Sequence, residues 1–189
     1  MAAMNWLSRW SINRRTEVRA RRALDKLGPE FALPSGARVL ELGSGGGGMI
    51  ALLHERFHPA RLVGTDFDPA QVEAARRFLS GRWGSLPSSV ELRQADALAL
   101  PFPDHSFDVV FAMMMLHHVE EHAAHRGGLV RRPQALREVQ RVLRPGGQFV
   151  YSEMFQRHGV RKVLEELRFS PRLLRSGWRQ DLAVYSSPA

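Results

Sequence analysis

Apolar positions along this chain fall into two alternating rhythms. Val39 to Leu42 is an apolar run broken by one carboxylate and then by glycines, the pattern of a buried strand feeding a tight turn. Met49 to Phe57 then reads as a helix. Arg61 to Asp66 is a short strand ending in an acid, and Asp68-Pro69 is an N-cap and first-turn pair for a helix to about Leu79. Val90 to Gln94 alternates as a strand. Phe107 to Ala112 is apolar nearly throughout, so it reads as a central strand buried on both faces, with Met113 to Val119 continuing into a turn and a helix start. Gln134 to Leu143 turns Leu136, Val139, Val142 and Leu143 to one helical face, and Arg144-Pro145-Gly146-Gly147 stops it. Phe149 to Glu153 is the fifth strand. A last helix, Val160 to Phe169, and a weaker strand, Leu182 to Tyr185, complete an α/β succession.

The remaining segments are connectors or caps. Residues 1–27 set Trp6, Trp10, Val18, Leu24 and Leu27 among six arginines, a pattern of one or two basic amphipathic helices. Such a segment either packs across a pocket mouth with its arginines in water or lies on a membrane interface; the first reading is preferred. Gly81 to Ser89 and Pro101 to Ser106 are loops, and the charged, histidine-rich stretch Glu120 to Arg132 reads as a surface insertion. The division expected is a helical segment over 1–36 and a main domain over 37–189.

The glycines after the first strand fit two cofactors. Gly43, Gly45 and Gly48 satisfy the GxGxxG spacing of dinucleotide sites, while Glu41, Gly43, Gly45 and Gly47 satisfy an ExGxGxG spacing that accompanies S-adenosylmethionine. Glu41 discriminates between them. A pyrophosphate on the turn is repelled by that carboxylate, whereas a ligand with an ammonium and a sulfonium is attracted to it. Asp66, 19 residues beyond Gly47, stands where an acid meets ribose hydroxyls. Asp68 reads as a helix cap. Asp96, at the end of the third strand, either accepts an adenine amine or caps its own loop.

Composition narrows the picture. With 189 residues the chain is one domain able to bury its own core. Its net charge is +8, carried almost wholly by arginine, since Lys26 and Lys162 are the lysines. That balance favours anionic partners. Absence of cysteine excludes disulfides, thiolate nucleophiles and cysteine metal sites. The longest apolar run, Val109 to Leu116, is too short to cross a bilayer, and no signal core opens the chain; a soluble cytoplasmic protein is expected.

The order and spacing of Val39 to Gly47, Val63 to Pro69, Gln94 to Pro103, Phe107 to Val119 and Glu138 to Gly147 resemble class I S-adenosylmethionine-dependent methyltransferases, in particular the group typified by ubiquinone and menaquinone C-methyltransferases. The resemblance covers residues 37–153. It implies a Rossmann-like, doubly wound, mainly parallel sheet in three α/β/α layers. It also implies that Glu41 and the turn Gly43, Ser44, Gly45 and Gly47 hold the methionine part of the methyl donor. Asp66 then binds the ribose, Phe67 packs on adenine, Asp96 and Ala97 read its edge, and the backbone near Ala112 and Met113 passes the sulfonium. Members of the family usually end in a sixth strand and an antiparallel seventh. Here only Trp178 to Tyr185 reads as available for both, so an abbreviated C-terminal sheet is expected, with subunit pairing at the edge as one remedy.

The function this implies is methyl transfer to oxygen, nitrogen or carbon of a small or lipid-like acceptor. Transfer to RNA or protein, and a cofactor-binding regulator without activity, stand as alternatives. Nucleic acid is the less favoured partner, because no recognition domain or NPPY-type motif is visible. A general base is needed only for an acceptor protonated near neutral pH. The polar groups near strand ends that could serve are His117, His118, Tyr151 and Glu153. The adjacent histidines are expected to diverge, and no metal site is expected.

Overall fold

The computed structural model describes residues 6–121, 131–153, 157–176 and 181–189. Its elements in chain order are α1 (Trp6–Leu27), β1 (Arg38–Leu42), α2 (Gly48–Phe57), β2 (Arg61–Asp66), α3 (Pro69–Trp83), β3 (Val90–Gln94), β4 (Phe107–Met113), α4 (Leu116–Glu121), α5 (Arg131–Val142), β5 (Leu143–Glu153), α6 (Arg157–Glu166), β6 (Ser170–Ser176) and β7 (Asp181–Ser186). Among the described residues the strands form one seven-stranded sheet in the order β3-β2-β1-β4-β5-β7-β6. Strands β1 to β5 pair in parallel, and β7 runs antiparallel to both neighbours.

Alternation along the strands produces the layers. On β1 and β4, Val39, Val109 and Phe111 face one apolar cluster with Leu24 of α1, Ile50 and Leu53 of α2 and Leu79 of α3. The intervening Leu40, Leu42, Val110 and Ala112 face a second cluster with Leu116 of α4, Leu136 and Val139 of α5 and Leu164 of α6. With both faces covered, the central strands are apolar on successive residues, as the run Val109 to Ala112 required. Helix α3 starts as expected, with the Asp68 side chain accepting the Ala70 N–H at 2.8 Å and Pro69 in the first turn, and continues past Leu79 to Trp83.

The expected abbreviation of the sheet does not occur. Strand β6 comes from Ser170–Ser176, and β7 alone occupies the end of the chain. The sixth strand escapes sequence reading because it is an edge strand. It pairs only with β7 and breaks register between Pro171 and Leu173, and it carries Arg172 and Arg175, features that edges tolerate and central strands do not. The last helix stops at Glu166, so Phe169 belongs to the turn into β6, where it packs against Phe149. Of the insertion expected over Glu120 to Arg132, the two ends belong to α4 and α5, and residues 122–130 lie outside the described residues.

A buried polar cluster pins β7 to β5. Tyr151 Oη donates to Asp181 Oδ2 at 2.7 Å, and the Arg161 guanidinium pairs with the same carboxylate from α6. Farther along, Ser187 N–H donates to the Gly147 carbonyl at 2.8 Å, so the C-terminal end closes against the glycines opening β5. No described helix is long and apolar enough to cross a membrane.

Candidate active site

Strand order reverses between β1 and β4, the place where an open parallel sheet leaves a crevice at its strand C-termini. A cavity of about 1060 Å³ lies there. The turn between β1 and α2 forms its floor. Gly43, Gly45 and Gly47 take φ of +67°, +50° and +85°, a region costly to residues with a Cβ. At Gly43 a Cβ would stand 2.6 Å from the Met115 Cβ, which shows how closely the turn approaches the β4–α4 connection. At Gly45 a Cβ would meet nothing within 4 Å, because that position opens onto the cavity wall. Gly47 faces inward on Ala75 and Leu79 of α3 and does not line the cavity.

Glu41 occupies a position of β1 where alternation calls for an apolar side chain. It is 3% exposed, and its register partners are Gly64 and Phe111. Its Oε2 and the Ser44 Oγ are buried without a hydrogen-bond partner among the described residues, although both residues line the cavity. Burial, and secondarily the charge of Asp66, push the Glu41 carboxyl up to about 8. A buried carboxylate with an open oxygen in a cavity wall is complementary to a cationic ligand group.

The other predicted positions mostly converge on this cavity. Asp66 braces the turn: its Oδ2 accepts the Gly45 N–H at 2.8 Å and its Oδ1 the Asp68 N–H at 3.0 Å, leaving lone pairs on each oxygen. Phe67 is 61% exposed at the rim, a large apolar surface in contact with the cavity. Asp96 also lines the wall, and its Oδ1 caps its own loop by accepting the Leu98 N–H at 2.9 Å, so the capping reading is the one the geometry shows. Ala97 and Met113 are wall residues. Ala112 is not; it is fully buried one residue earlier in β4.

Next to the glycine turn, Met113, Met114, Met115, His117 and His118 line a further part of the cavity. Met114 has φ +58°, a strained conformation for a side chain of that size, and its N–H donates to the Ser152 carbonyl at 2.8 Å. The histidine rings do not diverge as expected: their centroids are 4.0 Å apart and both face the cavity. His117 Nδ1 lies 2.8 Å from Oε2 of the buried Glu153, whose Oε1 accepts the Leu116 N–H at 2.7 Å. Tyr151 is the sequence candidate that the fold carries away. Its hydroxyl is sealed in the Asp181 cluster, off the cavity wall, and burial followed by the bond to Asp181 drives it well above the usual tyrosine range. The described residues contain no cluster of three or more metal-ligating side chains.

Helix α1 covers one side of the mouth. Arg19, Ala20 and Ala23 line the cavity, and Ala20, Ala23, Leu24 and Leu27 are buried. Gly48 lets this helix close down: a Cβ there would be 3.1 Å from the Glu17 backbone nitrogen. Arg82 of α3 ties the three helices of this face together by pairing with Glu17 of α1 and Glu55 of α2. Trp6 and Trp10 lie outside the residues whose side chains are described. Sequence reasoning also missed Thr65, Gln71 and Ser152 on the wall. Ser152 was within reach, being the penultimate residue of a strand predicted to end at the crevice; the α1 residues required the tertiary packing.

Comparison with known proteins agrees with this geometry. Residues 40–151 match the family described as "Methyltransferase domain". The chain is 37% identical over 116 residues to a demethylmenaquinone methyltransferase of Thermus thermophilus, covering 61% of this chain and 46% of that protein. It is 36% identical over 120 residues to a phthiotriol/phenolphthiotriol dimycocerosates methyltransferase of Mycobacterium leprae, covering 64% and 38%. A fatty-acid O-methyltransferase of Mycolicibacterium smegmatis is 35% identical over 125 residues, with 66% and 40% covered. The chain thus spans less than half the length of these relatives. A SAM dependent methyltransferase from Aquifex aeolicus has the same fold, with TM-score 0.73, 18% identity and 94% and 97% of the two chains covered. With its matching profile, its seven-stranded sheet and a glycine turn bordered by an open buried carboxylate, the chain belongs to the class I S-adenosylmethionine-dependent methyltransferases.

Proposed function

We propose that this chain transfers a methyl group from S-adenosylmethionine to a small or lipid-like acceptor. The observation that carries the reading is Glu41: a buried carboxylate with one oxygen lacking a partner among the described residues, beside a turn of positive-φ glycines. When bound, S-adenosylmethionine supplies an electrophilic methyl group on a cationic sulfur, so the protein's main task is to orient and enclose.

The residues divide that task. Glu41 would hold the ammonium of the methionine part, with Ser44 and the turn backbone beside it. Asp66 has lone pairs left for the ribose hydroxyls after bracing the turn. Phe67 would cover the adenine, and Asp96 and Ala97 would meet its edge. Met113 and Met115, at the β4–α4 connection, would present an apolar surface that keeps water from the reacting centre. Helix α1 acts as a cap on the unit formed by 37–189, and its Arg19 at the mouth offers a positive charge to an anionic acceptor. The relatives named for demethylmenaquinone, phthiotriol and fatty acid support a small or lipid-like acceptor.

Titration calorimetry with S-adenosylmethionine and S-adenosylhomocysteine tests the reading. The expected result is saturable binding with Kd on the order of micromolar, lost in Glu41→Ala. Absence of heat with both ligands, for a folded protein, overturns it.

A further inference from the structure

We infer that Arg82 of α3 is a positioning residue that governs release of the spent methyl donor: through Glu17 it fastens the cavity end of α1, and S-adenosylhomocysteine leaves as that end lifts. This deepens the methyl-transfer reading and rests on it. Helix α1 is held unevenly along its described length. Its C-terminal end is fixed by burial, since Ala23, Leu24 and Leu27 are at most 3% exposed, and Asp25 pairs with Arg56 of α2 at 2.8 Å. Toward the cavity the burial thins, and Val18 and Arg19 are exposed. Among the described residues two contacts hold this end down. The Glu17 backbone lies on Gly48 of α2, where a Cβ would stand 3.1 Å from the Glu17 nitrogen and 3.2 Å from its Cα. The Glu17 carboxylate meets Arg82 Nη1 at 3.2 Å. Arg21, which also meets that carboxylate at 3.4 Å, belongs to α1 itself and fastens it to nothing.

The Arg82 guanidinium is set in advance for this link. Its Nε and Nη2 donate to the Glu55 carboxylate at 2.6 and 2.9 Å, and Trp83 Nε1 donates to the same carboxylate at 2.9 Å. A planar fork held at two corners aims its third nitrogen, so the bond to Glu17 forms with little further loss of side-chain freedom. Neither Glu17 nor Arg82 lines the cavity, whereas Arg19 and Ala20, two and three residues along α1, do. Gly48, beneath Glu17, lines it as well, directly after the turn proposed to hold the methionine part. A ligand seated on that turn is therefore covered by the end of α1 that Arg82 fastens. An ion pair between partly exposed groups is weak and screened by salt, which suits a fastening that has to open once in every turnover.

The test uses the full chain, captured through a C-terminal tag, with S-adenosylhomocysteine association and release followed by surface plasmon resonance and hydrogen exchange measured peptide by peptide. Glu17→Gln should raise the dissociation rate about two- to fivefold, the range of an exposed ion pair. Glu17→Arg, which sets a cation against Arg82, should raise it by about tenfold or more, and in neither variant should association slow. Arg77→Gln breaks the 3.1 Å pair with Glu73 inside α3 and should leave release unchanged. Wild-type release should quicken between about 0.05 and about 1 M NaCl, and that of Glu17→Gln less so. In Glu17→Arg the amides of α1 should exchange faster while β1, β4 and β5 keep their protection, a local opening that a general loss of stability would not produce. Unchanged release in Glu17→Arg, weaker binding through slower association, an equal effect from Arg77→Gln, or exchange that rises over the sheet as much as over α1 would each overturn the fastening. Failure of the wild type to bind S-adenosylhomocysteine at all would instead remove the methyl-transfer reading beneath it.

Discussion

Asp66 Oδ2 lies 2.8 Å from the Gly45 nitrogen, so the acid that ends β2 holds the turn that follows β1. The residue expected to meet the ribose therefore also shapes the floor on which the rest of the ligand sits. Asp66→Ala should lower S-adenosylhomocysteine affinity by at least tenfold and unfold a few degrees earlier, since a hydrogen bond to a charged group is worth about 1.5–3 kcal/mol. Calorimetry and thermal unfolding check both. A change in affinity without a change in melting temperature would mean that the brace contributes nothing to stability.

Glu41 makes stability and binding depend on pH with opposite signs. Its carboxyl titrates at about 8 in the folded chain against an ordinary 4.5, so between those values the folded state binds more protons than the unfolded one. Its contribution to stability is thus complete below pH 4.5 and is lost as pH rises through 8. Glu41→Gln should remove this component, gaining stability over wild type toward alkaline pH. Binding an ammonium requires the ionised form, so wild-type affinity should rise from pH 6.5 to about 8.5, with proton release seen as a heat that varies with buffer. The Gln variant should show neither effect.

The glycines of the turn separate strain from contact. Gly43→Ala places a Cβ 2.6 Å from the Met115 Cβ at φ +67°, and should cost several kcal/mol in denaturant unfolding. Gly45→Ala meets no atom within 4 Å and bears only the left-handed cost of about 1–2 kcal/mol. It should fold, yet lose cofactor affinity because its methyl group stands where the turn opens onto the cavity. Equal stability losses in the two variants would contradict this account.

Tyr151→Phe should destabilise the fold by about 1–3 kcal/mol, since it leaves the buried Asp181 with one partner fewer, and should leave S-adenosylhomocysteine affinity unchanged. Urea unfolding and calorimetry on the same preparation decide it. A loss of affinity without a loss of stability would return Tyr151 to the site.

Much of this architecture is local and therefore legible in the chain. Two-face burial leaves successive apolar residues in β4, a cap and a proline open α3, and glycines mark a turn that only positive φ can build. Strand β6 is not local in that sense. At an edge, one partner suffices, so proline and arginines are allowed and the strand leaves no apolar signature. The arrangement of α1 over the cavity was readable as amphipathic character, while its contact with Gly48 was not, because that contact is an approach of two backbones 31 residues apart.

The sequence by itself determined the α/β succession, the glycine turn and the presence of Glu41 before it, because periodicity, turn chemistry and charge act over neighbouring residues. Only the tertiary structure decided which polar groups meet. His117 and Glu153 are 36 positions apart and are joined because β4 and β5 pair in parallel and end at the same crevice. Tyr151, two residues before Glu153, instead faces α6 and Asp181 and is spent on holding the last strand. Two residues apart, Tyr151 and Glu153 share a face of β5, so alternation does not separate them; their different partners follow from which elements pack over successive positions along that face, Asp181 and α6 beside Tyr151 and the start of α4 beside Glu153 at the strand end.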